Sequence, residues 1–240
     1  MAFSHGKSAV IYTNGYNLTG YLKQFSASGS ADVAETTVFG AQSKSYIAGQ
    51  KDASLSAEGL FDGSADAVDQ VLNAALGASS DSIWTWFPAG AAAVGDDGYG
   101  FSAIETGYEI SSPVGDVVSV TAEAQSNTGL ERVDLLHVLA ARTVDGTGTA
   151  LDNTASSSNG AAAYLQVTAA AGTTPSITVK VQHSSDNVAW TDLITFDAVT
   201  AANKAQRKAV TGTVNRYVRV TWTITGTSPS FTFAVAVNRK

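Results

Sequence analysis

The side chains best suited to a transition-metal site or to proton transfer near neutral pH, histidine and cysteine, are few or absent in this chain. Histidine is the most versatile of them, because its imidazole ligates transition metals and exchanges protons near neutral pH. The three histidines are His5, His137 and His183, and no His-x-x-His or His-Glu spacing joins any of them to a second ligand. Cysteine is absent, which excludes disulfides and thiolate sites. We therefore assign the histidines structural or surface roles and predict no metal site.

Three other segments contain the residue types of a ligand-binding loop without its spacing. Residues 98–100, Gly-Tyr-Gly, begin like a dinucleotide fingerprint, but strand-forming residues follow them rather than a helix. Residues 96–97 and 145–148 carry aspartates without the alternating ligands of a calcium loop, and turn chemistry explains them better. The Gly-x-Ser-x-Gly elbow and the Gly-x-x-x-x-Gly-Lys loop are absent from the sequence. We therefore predict that the protein is not an enzyme, has no catalytic residues and uses no cofactor.

The composition is that of a folded, β-rich protein with little charge. Of the 240 residues, 44% are hydrophobic and only 15% are charged. A disordered chain would have fewer apolar residues and more charge, whereas small and β-branched residues suit closely packed strands. The N-terminus lacks the pattern of a signal peptide, and no apolar run approaches the roughly 18 residues of a membrane span. We expect a soluble protein that is made in the cytoplasm and has no membrane partner.

The charge is distributed unevenly along the chain. Residues 1–140 contain 16 acidic and 5 basic residues, a net charge of −11, whereas residues 141–240 contain 5 acidic and 9 basic residues, a net charge of +4. The sign changes within residues 143–160, whose Gly, Thr, Ser and Asn content is typical of a linker. We therefore predict two domains, 1–144 and 145–240. The acidic first domain would repel nucleic-acid phosphates, although a solvated acidic face that keeps the domain soluble explains the charge equally well.

The pattern of apolar residues predicts a mainly β protein with one helix. After Ser64 as N-cap, apolar residues recur at helical spacing as far as Leu76, and Gly77 supplies a left-handed stop. Elsewhere in the first domain apolar and polar residues alternate, and Asn14-Gly15 is a strong hairpin signal. The second half alternates at regular intervals throughout. The expected architecture is a sandwich or barrel of two packed sheets with one flanking helix, followed by a small antiparallel β-sandwich.

One segment of the first domain, residues 26–50, shows little periodicity. A structureless stretch of 25 residues is uncommon within a compact domain. It is either a mobile surface loop or a segment that becomes ordered against another molecule. We favour the second alternative, because Val38, Phe39, Tyr46 and Ile47 are poor choices for a loop that stays in water.

Parts of the first domain resemble the tail tube, or major tail, proteins of long-tailed phages. Residues 35–61 contain Thr-Thr-Val-Phe-Gly, then Tyr-Ile-Ala-Gly, then Lys-Asp-Ala, and a strand that ends in Gly-Leu-Phe. An acid-capped helix follows over residues 62–76, and residues 115–126 are similar to the late strand of the same family. The resemblance implies subunits that form hexameric rings and stack into a hollow tube in the virion tail, through which DNA passes without specific binding. It also implies tape measure, tail tip and tail terminator proteins as partners.

The same resemblance assigns roles to residues of the first domain. The inner strands of six subunits would join as a continuous barrel, which removes exposed sheet edges. The aperiodic segment would reach the adjacent ring through its four apolar residues named above. A negative lumen wall would keep DNA from adhering, because DNA in a snug pore lies within a Debye length of about 8 Å of it. Our candidates for lumen acids are Glu105 and Glu123, which lie on predicted strands.

The second half resembles domains appended to phage tail and surface proteins, and it is also similar to carbohydrate-binding sandwiches. The resemblance lies in residues 151–160, 181–190 and 212–219. It implies an outward-facing accessory domain, and we expect its removal to leave assembly intact.

If this domain bound a glycan, Trp190 and Arg219 would be the surface contacts, although Trp190 and Trp222 also suit a core role. The alternatives to a tube subunit are therefore a glycan- or cell-surface-binding adhesion module of a virion, or another virion component such as a capsid decoration or tail terminator protein.

Overall fold

The structure, a computed structural model, describes residues 5–240 and consists mainly of β-strands. Its helical elements are a 3-10 turn, Gly6–Ser8, and the helix α1, Val68–Ala75. The strands, in chain order, are β1 Val10–Thr13, β2 Tyr16–Asn17, β3 Leu22–Glu35, β4 Tyr46–Leu60, β5 Ser82–Phe87, β6 Asp97–Ser111, β7 Ser119–Ser126, β8 Glu131–Arg142, β9 Gly146–Thr147, β10 Leu151–Asp152, β11 Ala161–Ser184, β12 Thr191–Thr195, β13 Lys204–Val210 and β14 Tyr217–Arg239. The predicted mainly β fold class is confirmed. Among residues 5–240, no helix has the length and apolar character needed to span a bilayer.

The chain forms two compact units whose limits differ from the predicted boundary at 144/145. Unit 1 comprises the described residues up to Gly20, together with Ile83–Gly100 and Glu131–Lys240. Unit 2 comprises Tyr21–Ser82 and Phe101–Leu130. The first half of the chain therefore contributes three segments to the unit that contains the whole second half. Whether the chain folds independently on either side of residue 144 stays a prediction.

The centre of unit 1 is the antiparallel pair β11 and β14, which pair from Ala161↔Arg239 to Ser184↔Tyr217 with three register shifts between Val167 and Ser176. Near its start β11 also pairs with β13, and near its end with β12. β14 pairs with β8 over its final third. The alternating pattern predicted separate strands on either side of these shifts. The structure joins them, because the backbone bends at the shifts without breaking the ladder.

The core of unit 1 lies on both faces of this strand pair. On one face, Leu165 and Phe233 belong to an apolar cluster with Val179, Val220 and Trp222. Trp222 is 6% exposed, so its predicted core role is confirmed. On the other face, a second cluster is made by residues from β1, β5, β8, β11 and β14: Tyr12, Phe87, Val133, Leu135, Ala162, Tyr164, Ala234 and Ala236. Burial on both faces makes these strands the interior layer of the unit.

A buried ionic cluster links β8, β11 and β13 within unit 1. The Arg207 guanidinium lies 2.7 Å from Oε1 of Glu131 and donates from Nε to Oε2 at 3.0 Å. Tyr164 donates its hydroxyl to the same carboxylate, and burial followed by the charge of Glu131 raises the pKa of Tyr164. The Glu131 and Arg207 side chains are 8% and 17% exposed. Basic residues of the second half are thus engaged within the unit, as are Lys180 with Asp192, Lys208 with Asp197 and Arg216 with Asp152.

The predicted Asn-Gly hairpin is confirmed between β1 and β2. Asn14 and Gly15 have φ angles of 50° and 83°, the left-handed conformations of a type I′ turn. The Gly15 N–H donates to Oε1 of Gln166 at 2.8 Å, and the Gln166 amide donates to the Ile83 carbonyl at 2.9 Å. A Cβ on Gly15 would lie 2.3 Å from the Lys204 nitrogen. The turn is therefore seated tightly against β11 and β13.

We expect Gly15→Ala to destabilise the protein far more than Gly212→Ala. Both glycines have positive φ, but a Cβ on Gly212 would meet nothing within 4 Å. The Gly212 variant should therefore show only the backbone cost, about 1 kcal/mol, whereas Gly15→Ala adds a clash with backbone atoms that cannot rotate away. Urea unfolding of both variants measures the difference. Equal losses would show that the turn is not confined as described.

Unit 2 is a four-stranded antiparallel sheet in the order β3, β4, β7, β6. Helix α1 lies on one face: Val68, Val71, Leu72 and Ala75 are buried, and the Tyr108 hydroxyl of β6 donates to Asp69 at 2.6 Å. The predicted helix therefore exists but begins at Val68, because the preceding residues form a turn. Its predicted stop is also present, since Gly77 has a φ of 67°.

Candidate assembly surfaces

The segment expected to be aperiodic is a long β-hairpin, so that prediction of its local structure was wrong. β3 and β4 pair from Leu22↔Gly59 to Glu35↔Tyr46, but β4 pairs with β7 only between Ser54 and Leu60. Beyond that point the hairpin is a two-stranded ribbon. We call residues 28–52 the arm. The arm shows no period-two pattern in its sequence because neither of its faces is buried.

The arm exposes its apolar side chains. Every residue from 28 to 52 is exposed except the half-exposed Thr37, and Val38 and Phe39 are 72% and 110% exposed. These two lie in the tip loop, while Tyr46 and Ile47 begin β4 next to it. The four residues predicted from the sequence are therefore together at the distal end of one element. Val33, which pairs with Ala48, belongs with them and was missed.

Polar contacts order the tip of the arm without using these apolar side chains. The Thr36 N–H donates to the Ser45 carbonyl at 2.8 Å, and their hydroxyls lie 2.9 Å apart. The Ser45 N–H donates to the Thr37 hydroxyl at 3.0 Å, and Lys44 Nζ lies 3.0 Å from Glu35 Oε2. A two-stranded ribbon is marginally stable in water. Because the tip holds its shape with its own hydrogen bonds, less entropy would be lost if its apolar side chains bound a partner.

The sheet face opposite α1, which we call the open face, is polar and acidic over β3, β4 and β7, whereas β6 adds the exposed Ile104 opposite Gln125. It is formed by alternate residues of β3, β4 and β7: Gln24, Ser26, Ser28, Ser54, Ser56, Glu58, Thr121, Glu123 and Gln125. The Ser28 and Ser54 hydroxyls are 2.9 Å apart, and Ser56 donates to Glu123 at 3.2 Å. The set contains no lysine or arginine. It is a surface of short polar side chains with exposed carboxylates.

The two predicted lumen acids lie on opposite faces of this sheet. Glu123 is exposed on the open face, where its role stays a prediction. Glu105 is 3% exposed, because it follows the buried Ala103 in alternation and pairs with the buried Ala124 on the face covered by α1. The register shift that follows places Gly107, and not Glu105, opposite Glu123. Burial raises the pKa of Glu105 to about 8, although Ser82 donates a hydrogen bond to it. The structure therefore contradicts a lumen role for Glu105.

We expect the stability gained from Glu105→Gln to depend on pH. The Glu105 pKa is raised from 4.5 to about 8, so between these values folding takes up a proton and the wild type loses stability as the pH rises. Below pH 4.5 the carboxyl is protonated in both states, and above pH 8 the loss is constant. The Tm difference between Glu105→Gln and wild type should therefore grow from pH 4.5 to 8 and then level off. Exposed Glu123→Gln is the control, and parallel Tm curves for Glu105→Gln would contradict the prediction.

Negative charge is concentrated in unit 2. Its segments Tyr21–Ser82 and Phe101–Leu130 contain 12 acidic residues and the basic residues Lys23, Lys44 and Lys51, a net charge of −9. Two of these lysines belong to the arm. The body of unit 2 is therefore strongly acidic and would repel phosphates.

The predicted glycan contacts do not present a free aromatic face. Trp190 is half-buried just before β12, and the Arg219 guanidinium lies 4.0 Å from its ring centroid. Arg219 also donates to Oε1 of Gln182 at 3.0 and 2.9 Å. A sugar would have to displace this cation to stack on that face of the ring. A glycan role for these residues stays a prediction that their geometry does not favour.

The histidines occupy separate environments. His137 stacks on Phe233 with ring centroids 4.4 Å apart, its Nε2 accepts from Arg142 at 3.2 Å, and burial lowers its pKa to about 4. His183 accepts from the Asn215 N–H at 3.1 Å. Within residues 5–240, no three His, Cys, Asp or Glu side chains are grouped to hold a metal.

Comparison with known proteins gives distant structural neighbours. No family model and no curated protein matches the chain. A chain from the tail of an empty gene transfer agent particle, computed with C6 symmetry, is 16% identical with a TM-score of 0.43, covering 53% of this chain and 97% of that one. A chain from the native gene transfer agent virion is 14% identical with a TM-score of 0.43, covering 54% and 98%. A chain of infectious bursal disease virus, Gx strain, is 10% identical with a TM-score of 0.27, covering 98% and 59%. Likenesses at these TM-scores carry no functional argument.

Proposed function

We propose that this protein is a structural, non-enzymatic subunit of a phage-type tail tube, which forms rings that stack into a hollow conduit. The exposed arm is the main observation that supports this proposal. It is a 25-residue ribbon, exposed on both faces, that holds Val38 and Phe39 in water. Full burial of one such side chain contributes about 1.5–3 kcal/mol. A monomeric role gives this element nothing to bury against, whereas stacked copies do.

The edge of the unit 2 sheet supports assembly into a ring. β3 is 14 residues long and pairs with β4 alone among the described strands. A long edge rich in Ser, Ala and Gly invites pairing with another chain. We propose that β3 of one subunit lies beside the last residues of β6 of the next, beyond the bridge between Glu105 and Leu76, so that closure of the ring removes the free edges. The expected ring is hexameric, as the sequence resemblance implies.

The open face suits the lumen of such a tube. Its serines present no bulky side chain, and Glu58 and Glu123 leave it negative. In a snug pore these carboxylates would lie within about 8 Å of duplex DNA, so salt does not fully screen them. DNA would therefore slide past without adhering. Tape measure, tail tip and tail terminator proteins would be the partners at the ends of the tube, and the virion tail its location.

Negative-stain electron microscopy of the concentrated protein, with light scattering on the same sample, tests this proposal. We expect rings and stacked hollow tubes, and a population heavier than the 24.6 kDa monomer. A strict monomer at all concentrations, also after addition of preformed tube ends as seeds, would contradict it. Seeds are included because a tube can require a nucleus to begin assembly.

A further inference from the structure

A second apolar surface of unit 2 lies at the end of the sheet opposite the arm. We call it the base patch, and its members are between 37% and 106% exposed: Leu60, Phe61, Ile110, Val114 and Val117. They lie at the same end of the sheet but on different faces, since Leu60 continues the open face and Ile110 pairs with Val120 on the face of α1. Leu60 ends β4 opposite Ser119 of β7, and the Phe61 N–H donates to the Val118 carbonyl at 3.0 Å. Ile110 and Val114 come from the end of β6 and the turn that follows it.

The arm and the base patch are separated by the length of one strand. Tyr46 begins β4 and Leu60 ends it, and 15 residues of strand span about 45 Å. Two apolar surfaces at opposite ends of one extended strand are too far apart to pack against each other within a molecule. Between identical molecules they make a heterologous, head-to-tail contact that can be repeated without limit.

The charges of unit 2 favour its own arm as the occupant of the base patch. The arm carries Asp32, Glu35 and Asp52 against Lys44 and Lys51, a net charge of −1, so the rest of unit 2 has a net charge of −8. The patch is bordered in sequence by the half-exposed Asp62 and the exposed Asp116. Any other surface of unit 2 would approach these acids with like charge, whereas the arm is nearly neutral and carries lysines.

We propose that the base patch is the docking site for the arm tip of a second copy of this chain, with Val38 and Phe39 seated among Leu60, Phe61 and Val117. This inference rests on the proposed function, because it names the surface on which the stacking contact lands. It assigns the contact to one end of the β4–β7–β6 sheet, including the last residue of the open face, Leu60, and not to unit 1. The axial repeat of the tube then cannot exceed the reach of the arm from patch to tip.

Cysteine cross-linking tests the contact in the full chain, which has no cysteine of its own. In assembled tubes, treatment of the double variant Val38→Cys/Val117→Cys with a short bismaleimide should give a ladder of oligomers on a denaturing gel. The matched control replaces Val117→Cys with Val188→Cys, a valine of unit 1 that is more accessible, 81% against 52% exposed. This control should give no ladder. Val38→Cys/Phe61→Cys provides a second pair.

The outcomes separate this inference from the proposed function. Tubes in which neither base-patch pair gives a ladder, although the cysteines react with a maleimide dye, overturn the inference and leave the tube function standing. A wild type that never forms rings or tubes overturns the function and the inference with it. Val117→Asp should prevent stacking at least tenfold more effectively than Val188→Asp, measured as the protein concentration at which tubes appear. Equal thresholds for these two variants would also overturn the inference.

Discussion

We expect replacement of residues 31–51 by Asn-Gly to give a folded protein that forms none of the tubes proposed for the wild type. Ser30 and Asp52 are register partners, so a two-residue type I′ turn joins them without changing the rest of the sheet. The deletion removes residues that are almost all exposed. It should therefore change Tm by less than about 4 °C, the equivalent of roughly 1 kcal/mol for a chain of this size. Because the stacking surface is gone, assembly should fail at every concentration.

Thermal unfolding and electron microscopy of the same preparation distinguish loss of assembly from loss of folding. Val38→Asp/Phe39→Asp tests the two tip residues alone and should also block stacking, since it buries charge in any contact the tip makes. Val188→Asp, exposed in unit 1, is the matched control and should assemble normally. Tubes of wild-type length from the arm deletion would show that the arm has no part in stacking.

We expect that a chain truncated after residue 144 does not fold. The charge and linker pattern favoured an appended second domain whose removal leaves assembly intact, but the structure leads us to expect the opposite. β8 pairs with β14 from Asp134↔Val237 to Arg142↔Phe231. The cluster that buries Tyr12 and Phe87 is completed by side chains of β11 and β14. Truncation would expose this core and leave Glu131 without Arg207, and loss of one partner of a buried pair alone costs about 3–5 kcal/mol.

Circular dichroism and limited proteolysis of residues 1–144 and of the full chain measure this outcome. The full chain should unfold cooperatively, whereas the fragment should be insoluble or lack a transition. Removal of residues 31–51 is a useful control, because it deletes exposed chain without opening a core. A fragment with a cooperative transition would restore the boundary at 144/145 as a true domain limit.

Local signals in the sequence were sufficient for individual elements. Asn14-Gly15 specified its hairpin, because few residues tolerate two successive positive φ angles. The apolar stripe from Val68 to Ala75 specified α1, because a helix presents every third or fourth residue to one face. The four apolar residues of the arm were identified by residue type alone, because large apolar side chains are unfavourable in a loop that stays in water.

The lack of a metal-ligand or nucleophile motif could also be read from the sequence, because such motifs are defined by the spacing of a few residues. The bias of acids toward residues 1–140 also came from composition. It anticipated the acidic unit 2, although not the exclusion of residues 83–100 from it.

Tertiary contacts determine which face of the sheet each residue takes and which segments pack together. Regular alternation along a strand would place Glu105 and Gly107 on one face of the sheet. The bulge between them reverses the alternation, and a bulge has no clear signature in a single sequence. The sequence of the arm predicts a loop, because a ribbon that is buried on neither face needs no alternation of apolar and polar residues. The grouping of β8 with β14 depends on pairing between residues about 100 positions apart. Such pairing depends on which strands are available as partners in the whole chain, and a short stretch of sequence does not specify this.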